Sequence, residues 1–169
     1  MAGKKGTKNN DPLSYAVNFI SYRPRSVKEV KDALRKKGFH EEAQVETLSK
    51  LSEWGLLNDA LFAESWIHYR TEALAKGRFG VRRELIEKGI SPDIIEQALA
   101  EYYPAELEEE ILEQILEKER RRLSVKSDIE KEKALQKLAG KLQYKGFSQG
   151  AIYRGLQQLE SLTIDTAWE

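Results

Sequence analysis

Three short segments of this chain share one pattern: LRKKGF (34–39), LIEKGI (85–90) and LQYKGF (142–147). In each, a leucine stands four residues before a glycine, a lysine immediately precedes the glycine, and a large apolar residue follows it. The agreement continues downstream, with Leu48, Leu99 and Leu156 ten residues after Gly38, Gly89 and Gly146, and Leu51, Tyr102 and Leu159 thirteen after. The glycines lie 51 and 57 residues apart, so the chain reads as an internal repeat of about fifty residues. No other feature restricts the fold as strongly.

The repeated unit has a legible physical logic. A helix ends at the Lys-Gly pair, because glycine takes the left-handed conformation that closes a helix and the lysine faces the negative end of the helix dipole. The residue two beyond the glycine (His40, Ser91 or Ser148) opens the next helix, and Pro92 occupies a first helical position that needs no N–H donor. Gly38–Phe39, Gly89–Ile90 and Gly146–Phe147 therefore form helix corners, with the leucines as core.

Each copy has room for one more helix in front. LSYAVNFISY puts Leu13, Ala16, Val17 and Ile20 on one face, and Ser26 with Glu29 spells a capping box for the next helix. NDALFAESWIHYRTEAL carries Leu61, Phe62, Ser65, Trp66, Tyr69 and Ala73 at helical spacing behind Asn58 or Asp59 as cap. AELEEEILEQILEKERRRL offers Leu107, Ile111, Ile115 and Leu116. The expectation is an all-α chain of nine helices in three tandem three-helix bundles, at 12–56, 57–103 and 104–160. A flexible basic tail is expected at 1–11 and a second tail at 161–169. Units this small gain from hydrophobic contact with their neighbours, so an elongated, curved arrangement is expected.

Composition narrows function by exclusion. With no cysteine there is no disulfide framework or thiolate metal site, which fits a reducing cytoplasm. MAGKKGTKNNDP lacks the apolar core of a signal peptide, and no run approaches the ~20 apolar residues of a membrane helix. The two histidines, His40 and His68, have no partner at metal-ligand spacing, KGRFG (76–80) follows no strand, and the carboxylates of ELEEEILE lie on a solvated face. No catalytic constellation, metal site or cofactor site is expected. The zero net charge hides an asymmetry: residues 1–90 hold 17 Lys+Arg against 12 Asp+Glu, and residues 91–169 hold 11 against 16.

The segment WGLLNDALFAESW (54–66) is sufficient by itself as a hydrophobic hinge between bundles, built on Trp54, Gly55, Leu56, Leu57, Asp59 and Phe62. It also resembles the Gly-Leu-[Leu/Ile]-Asn/Asp-Asp…Phe-Ala signature of the RecX family of bacterial recombination regulators. RPRSVKEV (23–30) is similar to that family's Arg-x-Arg-Ser…Glu-[Leu/Val] start of the second helix. The three Lys-Gly corners and the basic, glycine-containing KGRFGVRRELIEKGI (76–90) match further family marks. The resemblance runs from about residue 13 to 160. It departs at His40, where an acidic or hydroxyl cap is commoner. It implies three tandem three-helix units. It also implies a regulatory role in recombination, DNA repair and the SOS response: binding the RecA recombinase filament on single-stranded DNA and restraining filament growth, ATP hydrolysis, strand exchange and coprotease activity. The RecA filament is then the expected partner, with single-stranded or duplex DNA as a further one, and the protein itself a monomer.

Basic residues concentrate where such a partner would be met. Residues 22–37 hold Arg23, Arg25, Lys28, Lys31, Arg35, Lys36 and Lys37 against Glu29 and Asp32. Residues 70–88 hold Arg70, Lys76, Arg78, Arg82, Arg83 and Lys88 against Glu72, Glu84 and Glu87. The hypothesis is one positive face on the first two repeats; the bland alternative is ordinary helix-surface charge. A second function class stays open, a helix-turn-helix-like protein acting directly on duplex DNA, although HEEAQ, SPDII and SQGAI are poor base-reading helix starts. A purely structural scaffold is the third.

Overall fold

The computed structural model describes residues 11–165, with side chains through residue 161. Among these residues there are nine helices and no strand: α1 (Pro12–Ser21), α2 (Val27–Lys37), α3 (Glu41–Glu53), α4 (Asp59–Glu72), α5 (Arg78–Glu87), α6 (Pro92–Tyr102), α7 (Ala105–Leu123), α8 (Asp128–Lys145) and α9 (Gln149–Asp165). Helices α1–α3 pack on one another, α4–α6 do the same, and α7 and α8 each pack on α9. The expected N-terminal tail lies outside the described residues except for Asp11, whose carboxylate caps α1 at 2.8 Å from the Ser14 N–H. Helix α9 runs through the start of the expected C-terminal tail, because no glycine or proline interrupts residues 156–165; residues 166–169 lie outside the described residues.

The repeat is built from one corner used three times. Gly38, Gly89 and Gly146 all have positive φ, at 91°, 79° and 88°. The N–H of the following residue returns to the leucine carbonyl five residues back: Phe39 to Leu34 at 3.2 Å, Ile90 to Leu85 at 3.1 Å and Phe147 to Leu142 at 3.1 Å. Those three leucines are fully buried. Ser91 and Ser148 accept from the N–H three residues on, whereas His40 makes no side-chain cap bond. Gln44, next in α3, donates to the Phe39 carbonyl at 2.7 Å and ties the corner instead.

The periodicity misplaces a few side chains. Val17, Leu61 and Tyr69 share helical spacing with core residues but are exposed; Ala63, Ile67 and Thr71 complete the buried face of α4. Tyr102 only flanks the core, while its neighbour Tyr103 is fully buried and donates to the Lys76 carbonyl at 2.6 Å. Burial pushes the Tyr103 phenol well above its ordinary value, with Glu108 adding to the rise and Arg78 opposing it. A phenol raised on folding stabilises the fold below its unfolded value near 10, and the contribution is lost as pH rises further. Tyrosine absorbance should therefore show a phenol that stays protonated above pH ~10 until the chain unfolds, and Tyr103→Phe should abolish that late step.

The three units join in two different ways. The buried apolar residues of α4–α9 form one continuous cluster, from Phe62 and Ile67 through Leu99 and Tyr103 to Leu142, Phe147 and Leu159. Those of α1–α3 form a separate cluster around Ala16, Val30, Leu34, Leu51 and Leu57. Backbone meets backbone between the second and third units. The Gly77 N–H donates to the Lys145 carbonyl at 3.1 Å, and the Phe79 and Gly80 N–H groups converge on the Gly146 carbonyl at 3.1 and 3.3 Å. A Cβ on Gly80 would stand 2.2 Å from the Lys145 carbonyl oxygen, so the approach requires glycine. Lys145 completes the joint by donating to the Leu74 and Ala75 carbonyls beyond the end of α4.

Candidate partner-binding face at the joint of the first two units

The joint between the first and second units is polar. It forms where the start of α2 meets the end of α5. The Ser26 hydroxyl donates to the Lys88 carbonyl at 2.8 Å, Lys28 Nζ donates to the Glu87 carbonyl at 2.8 Å, and the Val27 N–H donates to Asp59 Oδ1 at 2.9 Å. Burial raises the Asp59 carboxyl above its ordinary value against the opposing Val27 bond. Ser26 also caps α2 from a fully buried position, so the expected capping box with Glu29 doubles as the joint.

Glu29 is the hub. Its Oε1 lies 2.7 Å from Lys88 Nζ, 3.0 Å from Arg23 and 4.0 Å from Arg25. Burial alone would raise its carboxyl; hydrogen bonds from Lys88, Arg23 and the Ser26 N–H outweigh that and hold it below the ordinary range. A carboxylate depressed on folding stabilises the fold above its unfolded value near 4.5, and that contribution is lost as pH falls through the lower folded value. Glu29→Gln should cost about 1 kcal/mol in urea unfolding at pH 7 after solvent screening, and the difference from the wild type should shrink as pH falls below the ordinary carboxylate range and the wild-type carboxylate is protonated.

Glu84 plays the matching part on α5. It contacts Arg70 Nε at 2.5 Å, accepts from Trp66 Nε1 at 3.0 Å and pairs with Lys76. The Arg70 contact is electrostatic and not a directed hydrogen bond, since the buried Arg70 Nε lacks a hydrogen-bond acceptor. Arg70 lies 4.2 Å from the Trp66 ring centroid and Lys88 4.8 Å; Arg25 sits 4.0 Å from that of Phe19. Burial, then the neighbouring Arg23, pushes the Arg25 guanidinium below its ordinary value, with Glu29 opposing.

The sequence-predicted residues thus divide into three groups. Arg23, Arg25, Lys28 and Arg70 come together at the joint. Lys76 and Arg78 serve the interior: Arg78 donates to the Leu99 carbonyl at 2.9 Å and to that of Tyr103, and its N–H is taken by Glu108 at 2.7 Å. Lys31, Arg35 and Lys36 on α2, and Arg82 and Arg83 on α5, are exposed. Arg35 pairs with Asp32 and Arg82 with Glu96, while Lys31, Lys36 and Arg83 have no ion-pair partner among the described residues. Helix α2 begins at the joint and α5 ends at it, so these exposed cations extend from the joint along the two helices.

Sequence reasoning passed over Glu29 and Glu84 as site residues and met Lys88 only as one member of a basic cluster. Glu29 read as a capping residue and Lys88 as a helix end, and no local spacing reports a pair 59 residues apart. Among the described residues no group of three or more metal-ligating side chains occurs, and no helix is long and apolar enough to cross a membrane.

Residues 13–51 match the family model of the first three-helix domain of RecX, and residues 58–99 match that of the second. The chain is 34% identical over 168 residues to Regulatory protein RecX of Streptomyces lividans, covering 96% of this chain and 87% of that protein. It is 40% identical over 147 residues to Regulatory protein RecX of Bacillus pumilus, covering 85% of this chain and 53% of that longer one. The crystal structure of RecX from Lactobacillus salivarius superposes with a TM-score of 0.73 at 34% identity, covering 88% of this chain and 94% of that one. In sequence, in its two matched domains and in helical architecture, this chain belongs to the RecX family of regulatory proteins.

Proposed function

We propose that this protein is a non-enzymatic cytoplasmic regulator that binds, as a monomer, the RecA recombinase filament on single-stranded DNA and restrains its growth, ATP hydrolysis, strand exchange and coprotease activity. Membership of a family of regulatory proteins carries the proposal. The cations left exposed around the first joint supply the physical means. Lys31, Lys36 and Arg83 are uncompensated, and a helical filament offers repeated acidic surface and phosphate to both sides of the joint at once. Co-sedimentation with filaments assembled on single-stranded DNA tests the reading. Binding should weaken at least about tenfold between roughly 50 and 200 mM salt. Salt-insensitive binding would remove the electrostatic basis, and absence of binding would remove the reading.

The alternative of direct duplex reading has less support. The exposed first turn of α3 carries Glu41 and Glu42, and that of α6 carries Pro92 and Asp93. Carboxylates at those helix starts repel phosphate where a recognition helix needs donors.

A further inference from the structure

A groove crosses the first joint. One cavity of about 460 Å³ is lined by Tyr22, Leu56 and Leu61 among others, and a second of about 510 Å³ by Trp66, Tyr69 and Arg70. Both share Arg23, Pro24, Phe62 and Ser65, so they form one continuous trough. Leu56, Leu61 and Tyr69, each more than half exposed, offer apolar surface along it. The signature segment thus buries Leu57 and Phe62 and leaves Leu56 and Leu61 outside, and packing of the chain itself does not account for that outward pair.

Charge decides what suits the trough. Three cations line it, Arg23, Arg25 and Arg70, and no carboxylate among the described residues does; Arg23 and Arg25 share Glu29 with Lys88, and Arg70 shares Glu84 with Lys76. The positive excess persists after internal pairing. The buried Nε atoms of Arg25 and Arg70 make no directed hydrogen bond among the described residues, although Arg70 Nε lies 2.5 Å from Glu84. The occupant must therefore be acidic and must also carry an apolar group. Single-stranded nucleic acid meets the first demand, but it stacks its bases on open ring faces; Trp66 is already covered by Phe62 at 5.5 Å, by Arg70 and by Lys88, and Leu56 and Leu61 offer no ring, which leaves Tyr22 and Tyr69 alone for stacking.

We propose that the groove between the first and second units binds an extended acidic peptide segment of the recombinase that bears an apolar side chain, which rests on the recombinase-binding reading above. The apolar side chain lies against Leu61 and Tyr69, and flanking carboxylates meet Arg23 and Arg70. The test uses the full chain with Tyr22, an exposed aromatic at the mouth, replaced by the photoreactive p-benzoylphenylalanine. It is irradiated with RecA filaments on single-stranded DNA, the cross-linked peptide is mapped, and co-sedimentation is measured in parallel. The expected result is a cross-link to a carboxylate-rich RecA segment, with the yield reduced about tenfold by Leu61→Glu or Tyr69→Glu, both at exposed positions that the fold tolerates. A cross-link to DNA or to a segment without carboxylates overturns the inference. So does normal co-sedimentation with no cross-link, or with a cross-link that both variants leave unchanged; these outcomes leave the regulator reading intact. Loss of co-sedimentation of the otherwise wild-type chain overturns both.

Discussion

Gly146→Ala is expected to destabilise the protein by about 3 kcal/mol, a fall of roughly 6–12 °C in melting temperature for a chain of this size. Two costs combine. An alanine at φ +88° is strained in the left-handed region, and its Cβ would lie 2.1 Å from the Gly80 nitrogen and 2.3 Å from its Cα. Both obstacles are backbone, so no side chain can swing away, and the joint between the second and third units must open. Gly38 supplies the control. It holds the same place in the repeat at φ +91°, yet nothing lies within 4 Å of its added Cβ, so Gly38→Ala should cost only about 1 kcal/mol. Differential scanning calorimetry on the two variants separates the terms. Equal melting temperatures would show that the third corner carries no joint and serves only its own helix end.

Reversing the exposed charges should have the largest effect on binding. Arg82→Glu with Arg83→Glu, or Lys31→Glu with Lys36→Glu, is expected to weaken filament binding by about tenfold or more per pair and to flatten its salt dependence, with unchanged helicity. Helicity survives because these side chains are exposed and, among the described residues, make no hydrogen bond or ion pair with another element beyond the exposed Arg82–Glu96 pair. Arg78→Glu is expected to behave differently. It would place a carboxylate where Arg78 now meets the Leu99 and Tyr103 carbonyls, and the second unit should lose stability before any binding defect is measured. Binding retained after both pairs of reversals would show that the basic clusters are solvated helix surface and no more.

Much of the fold was legible because its information is local. Each corner needs a glycine at positive φ, a leucine four residues back and an apolar residue after, and these recur in order. Capping by Ser26 and Ser91 was readable for the same reason. What the sequence hid depends on distance along the chain. Gly77 and Gly80 stand in KGRFG, a segment that follows no strand and carries no local sign of a contact, because only the fold brings Gly146 against them. Leu61 and Tyr69 have core spacing, yet lie on a helix edge that no neighbouring helix covers. The site was less legible than the fold. A basic cluster in sequence does not distinguish a cation that holds a carbonyl, such as Arg78, from one that waits in solvent, such as Arg83. The joint itself, with Glu29 and Lys88 as partners, combines two residues that each had a sufficient local role.

The central claim is regulation of the recombinase filament, and the most direct measurement is ATP hydrolysis by the cognate RecA on single-stranded DNA with this protein added well below one copy per protomer. The expected result is a fall in hydrolysis far larger than the fraction of protomers occupied, reversed by salt and lost with the Arg82 and Arg83 reversals. Unchanged hydrolysis at every ratio, together with tight binding to duplex DNA alone, would contradict the claim and favour a protein that acts on duplex DNA directly.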